Sequence, residues 1–196
     1  MTKSQNIPKS IYLFRHPETQ APKGTCYGNS DVLPSEKQLQ EAVIKIHKSV
    51  QDIRPDVVYT SPLSRCKMLA KKIAGESTVV TEELIREIDF GRWEMLPWSE
   101  IPDNEREAWG KDYITNKIHG GENFFDVQKR VVQFWDKVIK TNEQTIFVVA
   151  HAGLYRALLA HLLDASPYKI FAVDVDYGGT IRIQWDNETY YKIKFL

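Results

Sequence analysis

The stretch Ile11-Tyr12-Leu13-Phe14-Arg15-His16-Pro17-Glu18-Thr19 carries the fold reading. Four consecutive apolar residues predict a short strand buried on both faces, as in a parallel sheet. Pro17 disfavours helix at the residue before it, which leaves His16 at the mouth of an extended segment. In open α/β sheets, ligands bind outside the carboxyl ends of the strands. Arg15 and His16 fall at that end. Arginine offers a planar fork for phosphate or carboxylate oxygens, and histidine can serve as acid, base, metal ligand or nucleophile. Taken alone, such a pair more often just ends a strand.

A second run changes that balance. Thr145-Ile146-Phe147-Val148-Val149-Ala150 is another buried-strand pattern, and it ends in His151, followed by Ala152-Gly153 and a helical stretch from Leu154. Two strand-end histidines on one parallel sheet can converge in space.

The chain has 196 residues and equal numbers of acidic and basic side chains, so its formal net charge is zero. That is enough chain for one well-buried core. The neutral balance argues against a general nucleic-acid binder and makes any anion site local. Cys26 and Cys66 form no CxxC pair and no apolar signal core precedes them, so reduced thiols in a cytoplasmic protein are expected. No apolar run approaches the ~20 residues of a bilayer span, so no membrane partner is expected.

Between the two histidine runs the chain alternates. A long loop, Pro17 to Pro34, is of the kind that is usually functional. Ser35 caps a helix whose Leu39, Val43, Ile46, Val50 and Ile53 share a face and which Pro55 stops. Val57-Val58-Tyr59 predicts a strand, and Ser61 or Ser64 caps the next helix, which runs to about Gly75 and carries Arg65 in its first turn. Thr78-Val79-Val80 predicts a further strand. From Glu94 to Gly121, tryptophans alternate with acids, and two readings stand open: a lid over a site, or a satellite cluster under a long loop. His119 either lines the site or is exposed. Glu122 to Lys140 predicts a helix with Phe124, Val127, Val131, Phe134, Trp135 and Val138 as its buried stripe. The helix after His151 runs to Asp164, with His161 structural. Phe171–Val175, Thr180–Trp185 and Tyr190–Phe195 read as three final extended segments, the last two joined by a turn at Asp186-Asn187-Glu188. The Thr180–Leu196 end can cover a sheet edge or pair with a second copy, which makes a homodimer one expectation.

Four motifs now stand in order. Arg15-His16-Pro17-Glu18-Thr19, Ser61-Pro62-Leu63-Ser64-Arg65-Cys66, Glu87-Ile88-Asp89-Phe90-Gly91 and Val149-Ala150-His151-Ala152-Gly153 resemble the motifs of the histidine phosphatase superfamily, which includes cofactor-independent acid phosphatases and phosphoglycerate mutases. Within it, Gly24 to Asp31, Arg86 to Trp98, Gly120-Gly121-Glu122 and Val175 to Gly179 resemble the α-ribazole phosphatase group. The resemblance implies an α/β three-layer sandwich of the phosphoglycerate mutase-like kind: a mostly parallel central sheet with helices on both faces. It implies one domain over residues 1–196 with a lid-like insertion at about 92–121.

The resemblance also implies an activity, hydrolysis of a small phosphomonoester through a phosphohistidine, with no metal and no cofactor. In it, His16 is the nucleophile, Glu87 the proton donor and acceptor, and Arg15, Arg65 and His151 hold the phosphoryl oxygens. Glu18 and Glu122 are lesser candidates for the acid, Glu18 reading better as a loop-fixing residue. The narrower likeness implies α-ribazole 5′-phosphate, in assembly of the cobalamin nucleotide loop, as the substrate; a broad-specificity or sugar-phosphate phosphatase and a non-catalytic phosphate-binding module are the alternatives. Two departures matter. Pro17 replaces a glycine and removes a backbone N–H beside the nucleophile. Pro22 lies where many members carry a phosphate-binding Asn, leaving Thr25, Cys26 or the backbone near Tyr27 and Gly28 to replace it, and Ala152, at a helix start, to add its amide. Trp93, Trp98, Trp109 and Phe125 are candidates to stack on a flat leaving group.

Overall fold

The computed structural model describes residues 8–117, 120–186 and 191–196. Six strands form one sheet in the order β3-β2-β4-β1-β5-β6. They are β1 (Lys9–Arg15), β2 (Val57–Thr60), β3 (Thr78–Thr81), β4 (Thr145–Ala150), β5 (Thr180–Trp185) and β6 (Tyr191–Phe195). The first four run parallel, while β5 pairs antiparallel with both β1 and β6. Side chains alternate across a strand, and the apolar runs feed two cores accordingly. Ile11, Leu13, Ile146 and Val148 point to one face, where they meet α4 (Phe124–Ile139) and α5 (Ala152–Leu162). Tyr12, Phe14, Phe147 and Val149 point to the other, against α1 (Glu36–Val50) and α2 (Ser64–Ile73). The result is a three-layer sandwich around a mostly parallel sheet. None of the described helices is long and apolar enough to cross a membrane.

Several boundaries differ from the sequence reading. Ser35 caps α1 as expected, in a capping box with Gln38, but α1 ends at Val50, where Gln51 takes a φ of 49° and bonds back to His47. Ile53 therefore lies beyond the helix, 39% exposed. Neither Ser61 nor Ser64 caps α2. Leu63 holds the cap position, and Asp31, from the long loop, accepts from both the amide and the hydroxyl of Ser64. The helix expected from Glu122 starts at Phe124 behind the cap Asn123, and its buried stripe is the expected one. Helix α5 stops at Leu162, with Asp164 at a φ of 48°, and His161 is exposed.

Phe171–Val175 is not a strand. Pro167 opens a single turn, α6 (Pro167–Ile170), and the carbonyls that follow are taken by arginine side chains instead of a ladder: Val173 accepts from Arg156 and Val175 from Arg15. His119 and the Asn187-Glu188 part of the expected hairpin turn lie outside the described residues. Between β3 and α4, three short 3₁₀ turns and α3 (Asp103–Lys111) carry a third cluster, in which Cys26, Trp93 and Ile101 are buried and Phe90, Leu96, Trp98 and Trp109 pack on them.

Candidate active site

Register brings the two histidines together. Arg15 pairs with Ala150 across β1 and β4, and the His16 amide donates to the Ala150 carbonyl at 3.0 Å. The next residue on each strand is a histidine, and the two imidazole centres lie 5.0 Å apart. Both rings are buried. Nδ1 of His16 stands 2.7 Å from the Pro17 carbonyl oxygen. A carbonyl can only accept, so Nδ1 carries the proton and the neutral ring keeps its lone pair on Nε2. Burial, and after it the positive charge of Arg65, hold the His16 pKa well below the usual imidazole value. His151 is lowered likewise, by burial first and then by its neighbours His16 and Arg65. Its Nε2 lies 2.8 Å from the Ser61 hydroxyl.

Two guanidiniums face these rings. Arg65, fully buried, donates through its amino groups to the carbonyls of Ser30 at 2.7 Å and Gly28 at 2.5 Å. Arg15 donates to Val175 at 2.6 Å and lies over the Tyr177 ring. Those acceptors are neutral, and among the described residues neither guanidinium is in an ion pair. The Nε of each arginine is buried and has no partner among the described residues. A buried donor without an acceptor is costly, and two of them beside neutral imidazoles make an anion site.

Glu87 completes the ring. Its carboxylate accepts from the amides of Ile88 at 3.0 Å and Gly153 at 3.3 Å. Arg130 fixes the backbone around it, donating to the carbonyls of Leu84, Arg86 and Glu87 while its fork grips Glu122.

A cavity of about 230 Å³ gathers Arg15, His16, Thr25, Cys26, Tyr27, Arg65 and Glu87, with Phe90, Trp98 and Tyr177. A second cavity of about 230 Å³ shares Arg15, Tyr27, Glu87 and Phe90 with it and adds Trp109, Tyr113, Phe124, Ala152, Arg156 and Phe171. The first cavity thus sets Arg15, Arg65 and His16 around one space, with His151 buried behind it, and the second sets an aromatic chamber next to Glu87.

The remaining expected residues are placed less uniformly. Gly28 stands behind the cavity: its amide goes to Glu94 and its carbonyl to Arg65, and a Cβ would come 2.0 Å from the Ile88 oxygen. The Cys26 amide is bonded to Leu96, and burial, then Glu94, push its thiol up to about 12, so it stays protonated. Glu122 is occupied by Arg130, and Glu18 is exposed and holds Gln38. Among the aromatics, Trp93 is core and Phe125 is exposed, while Phe124, Tyr113 and Phe171 take the places expected of them. The α4 stripe explains the exchange, because it turns Phe124 inward and its neighbour out.

Sequence reasoning missed Glu94 and Arg130. Glu94 accepts from the amides of Gly28, Asn29, Ser30 and Phe90 and from the Ser30 hydroxyl, and so ties down the loop that holds Arg65. Its one trace in the sequence is an acid set among tryptophans.

Residues 11–195 match the family model described as histidine phosphatase superfamily (branch 1). Phosphoserine phosphatase 1 of Hydrogenobacter thermophilus is 30% identical, over 85% of this chain and 82% of its own. Adenosylcobalamin/alpha-ribazole phosphatase of Escherichia coli is 26% identical, over 86% of each. The crystal structure of the alpha-ribazole phosphatase from Shigella flexneri superposes with a TM-score of 0.87 at 26% identity, covering 95% of each chain.

Proposed function

Since the chain belongs to the histidine phosphatase superfamily (branch 1) and is a phosphatase, a hydrolase, we propose that it cleaves a small phosphomonoester through a phosphohistidine on His16. The observation that carries this reading is the single cavity that joins a neutral His16, its lone pair on Nε2, to the Arg15 and Arg65 guanidiniums and a carboxyl. Nε2 attacks phosphorus, a P–N bond forms, and the P–O bond to the leaving group breaks. Glu87, protonated, gives its proton to the departing oxygen. Water then attacks the phosphohistidine, Glu87 takes its proton back, and the P–N electron pair returns to Nε2. Arg15, Arg65 and His151 hold the equatorial oxygens, and such fixed donors are worth about 3–4 kcal/mol each in a transition state.

For the substrate we favour α-ribazole 5′-phosphate. Phe90, Trp109, Tyr113, Phe124 and Phe171 give the adjoining chamber aromatic walls suited to a flat base, and relatives bearing that name cover most of the chain. A second reading, phosphoserine, is favoured by Arg156. Its guanidinium lines the same chamber, and its nearest carboxylate, the exposed Asp174, is 3.7 Å away, which leaves it able to bind a substrate carboxylate.

The test is phosphate release, with EDTA present, from α-ribazole 5′-phosphate, phosphoserine, 3-phosphoglycerate, sugar phosphates and an aryl phosphate, with His16→Ala as control. Turnover of the ribazole ester far above the rest, abolished in the variant, supports both levels of the reading. Faster phosphoserine turnover moves the substrate to the second reading. Undiminished turnover by His16→Ala refutes the mechanism.

A further inference from the structure

Tyr177 takes no part in the steps above, yet it touches groups that do. The Arg15 guanidinium carbon lies 3.7 Å from its ring centre, and the His16 ring centre is 5.6 Å away. Its hydroxyl stands 3.3 Å from that of Tyr27, whose ring lies 5.6 Å from the Arg65 guanidinium. Each arginine is thus backed by a tyrosine face, and the two tyrosines meet at their hydroxyls on the wall of one cavity.

The backbone under both tyrosines is tied down. The Gly178 amide donates to the Arg15 carbonyl at 3.1 Å, and the Arg15 amide donates to Gly179 at 3.1 Å. Lys45, on α1, donates to the Tyr177 carbonyl at 3.3 Å. Gly178 has a φ of 62°, and a Cβ there would meet Ala42 at 3.1 Å, so the turn that presents Tyr177 depends on this glycine. On the opposite wall, Cys26 and Gly28 flank Tyr27 and are bonded to Leu96 and Glu94. Burial first, then the bond to Tyr27, push the Tyr177 hydroxyl up to about 12, so it stays protonated beside Arg15.

Arg15 needs this backing. Its one side-chain hydrogen bond among the described residues, to Val175, fixes a point and not a plane. A ring face 3.7 Å away fixes the plane. Resting on the reading of this cavity as the phosphate site, we propose that Tyr177 is a positioning residue: it holds the plane of Arg15 and, through Tyr27, couples that plane to Arg65.

The test is a double-mutant cycle read by calorimetric binding of inorganic phosphate, with kcat and KM for an aryl phosphate measured alongside. Tyr177→Leu is expected to weaken phosphate binding about tenfold, between the values of an exposed and a desolvated cation–π contact, since Tyr177 is 37% exposed. Tyr177→Phe keeps the ring and restores affinity to within about threefold of wild type. In an Arg15→Ala background Tyr177→Leu has nothing left to align, and its effect shrinks to less than about twofold. The same tenfold loss in both backgrounds overturns the proposal. If Tyr177→Leu does not fold, Tyr177→Phe still decides: a tenfold loss there places the effect in the hydroxyl and refutes the ring's role. Phosphate binding that follows the expected pattern without hydrolysis of any ester supports the positioning role and refutes the catalytic reading, whereas a wild-type chain that binds no phosphate overturns both.

Discussion

The carbonyl oxygen of Pro17 lies 2.7 Å from Nδ1 of His16, inside the backbone of one motif. The proline costs this turn an amide and keeps the carbonyl, and the carbonyl is what sets the tautomer. With Nδ1 as donor, Nε2 is the free nucleophile, and the charges of Arg65 and Arg15 make protonation there unfavourable.

A pH profile follows from that geometry. The His16 pKa is lowered from 6.5, by burial first and Arg65 next. The neutral ring therefore persists below pH 6.5, and the acid limb of kcat/KM is expected well under that value. Removing a positive neighbour raises the pKa, so Arg65→Gln moves the acid limb upward as well as lowering the rate. An acid limb that stays at 6.5 in the wild type contradicts the burial argument. Stability follows the same sign. His16 and His151 bind protons near pH 6.5 when unfolded but resist them when folded, so their contribution is complete above 6.5 and is lost as pH falls below it toward the folded values. Melting temperature should fall on acidification from pH 7 to 5, and less steeply in a His16→Asn, His151→Asn double variant.

Gly153 offers a way to displace Glu87 without harming the core. A Cβ at this position would come 2.6 Å from Glu87 Oε1, and Gly153 sits in the first turn of α5, where alanine is favourable. What must give is the end of a flexible side chain. Gly153→Ala is expected to change stability by less than about 1 kcal/mol and to lower kcat by about 10²-fold, the low end for loss of a general acid. Thermal melts and steady-state kinetics on one sample separate the two. A large drop in melting temperature with an intact kcat would place the clash in the backbone and not at Glu87.

What was legible in the sequence divides along a physical line. The strands β1, β2 and β4 were legible because a buried parallel strand is a continuous apolar run bounded by turn residues, and α4 because its stripe follows the helical period. Arg15, His16, Arg65 and His151 were legible because each ends or follows a strand or opens the next helix. Phe171–Val175 misled because apolar residues at alternate positions also occur where arginine side chains take the carbonyls. Glu94 and Arg130 were not legible, because their worth lies in backbone groups brought in from 64 residues away in one case and over 40 in the other, and no local pattern marks such a partner.

Glu94 is expected to be as important to Arg65 as Arg65 is to the anion. Burial pushes its carboxyl up, but the Ser30 hydroxyl and the Phe90, Gly28 and Asn29 amides outweigh burial and hold the pKa below 4.5. Replacing it by alanine orphans several part-buried donors and should cost about 2–3 kcal/mol. Glu94→Gln, which keeps the shape but loses acceptors and charge, should cost about half that, within the range for one charged hydrogen bond. Both should raise KM and weaken inorganic phosphate binding, because the Gly28 and Ser30 carbonyls that hold Arg65 lose their anchor. Since the folded pKa is depressed, this stabilisation is complete above the unfolded value and fades as pH falls below 4.5. Phosphate affinity equal to wild type in Glu94→Ala would show that the loop holds Arg65 unaided.

Arg130 acts on the other catalytic group. It bonds three carbonyls of the segment that carries Glu87 and grips Glu122 at 2.9 Å, with both side chains largely buried. Breaking a buried pair by removing one partner costs about 3–5 kcal/mol, and partial exposure places this pair near the lower end. Arg130→Met leaves Glu122 unpaired and should approach that cost, whereas Arg130→Met with Glu122→Leu should recover part of it. The three carbonyls stay orphaned in both variants, so catalysis should not recover with stability. The double variant should keep a kcat reduced about 10-fold or more, the scale for a displaced proton donor, with KM little changed, because the arginines that bind the anion are held by other loops. If kcat returns together with the melting temperature, Arg130 supports the fold alone, and the position of Glu87 is set by Gly153 and the α5 terminus.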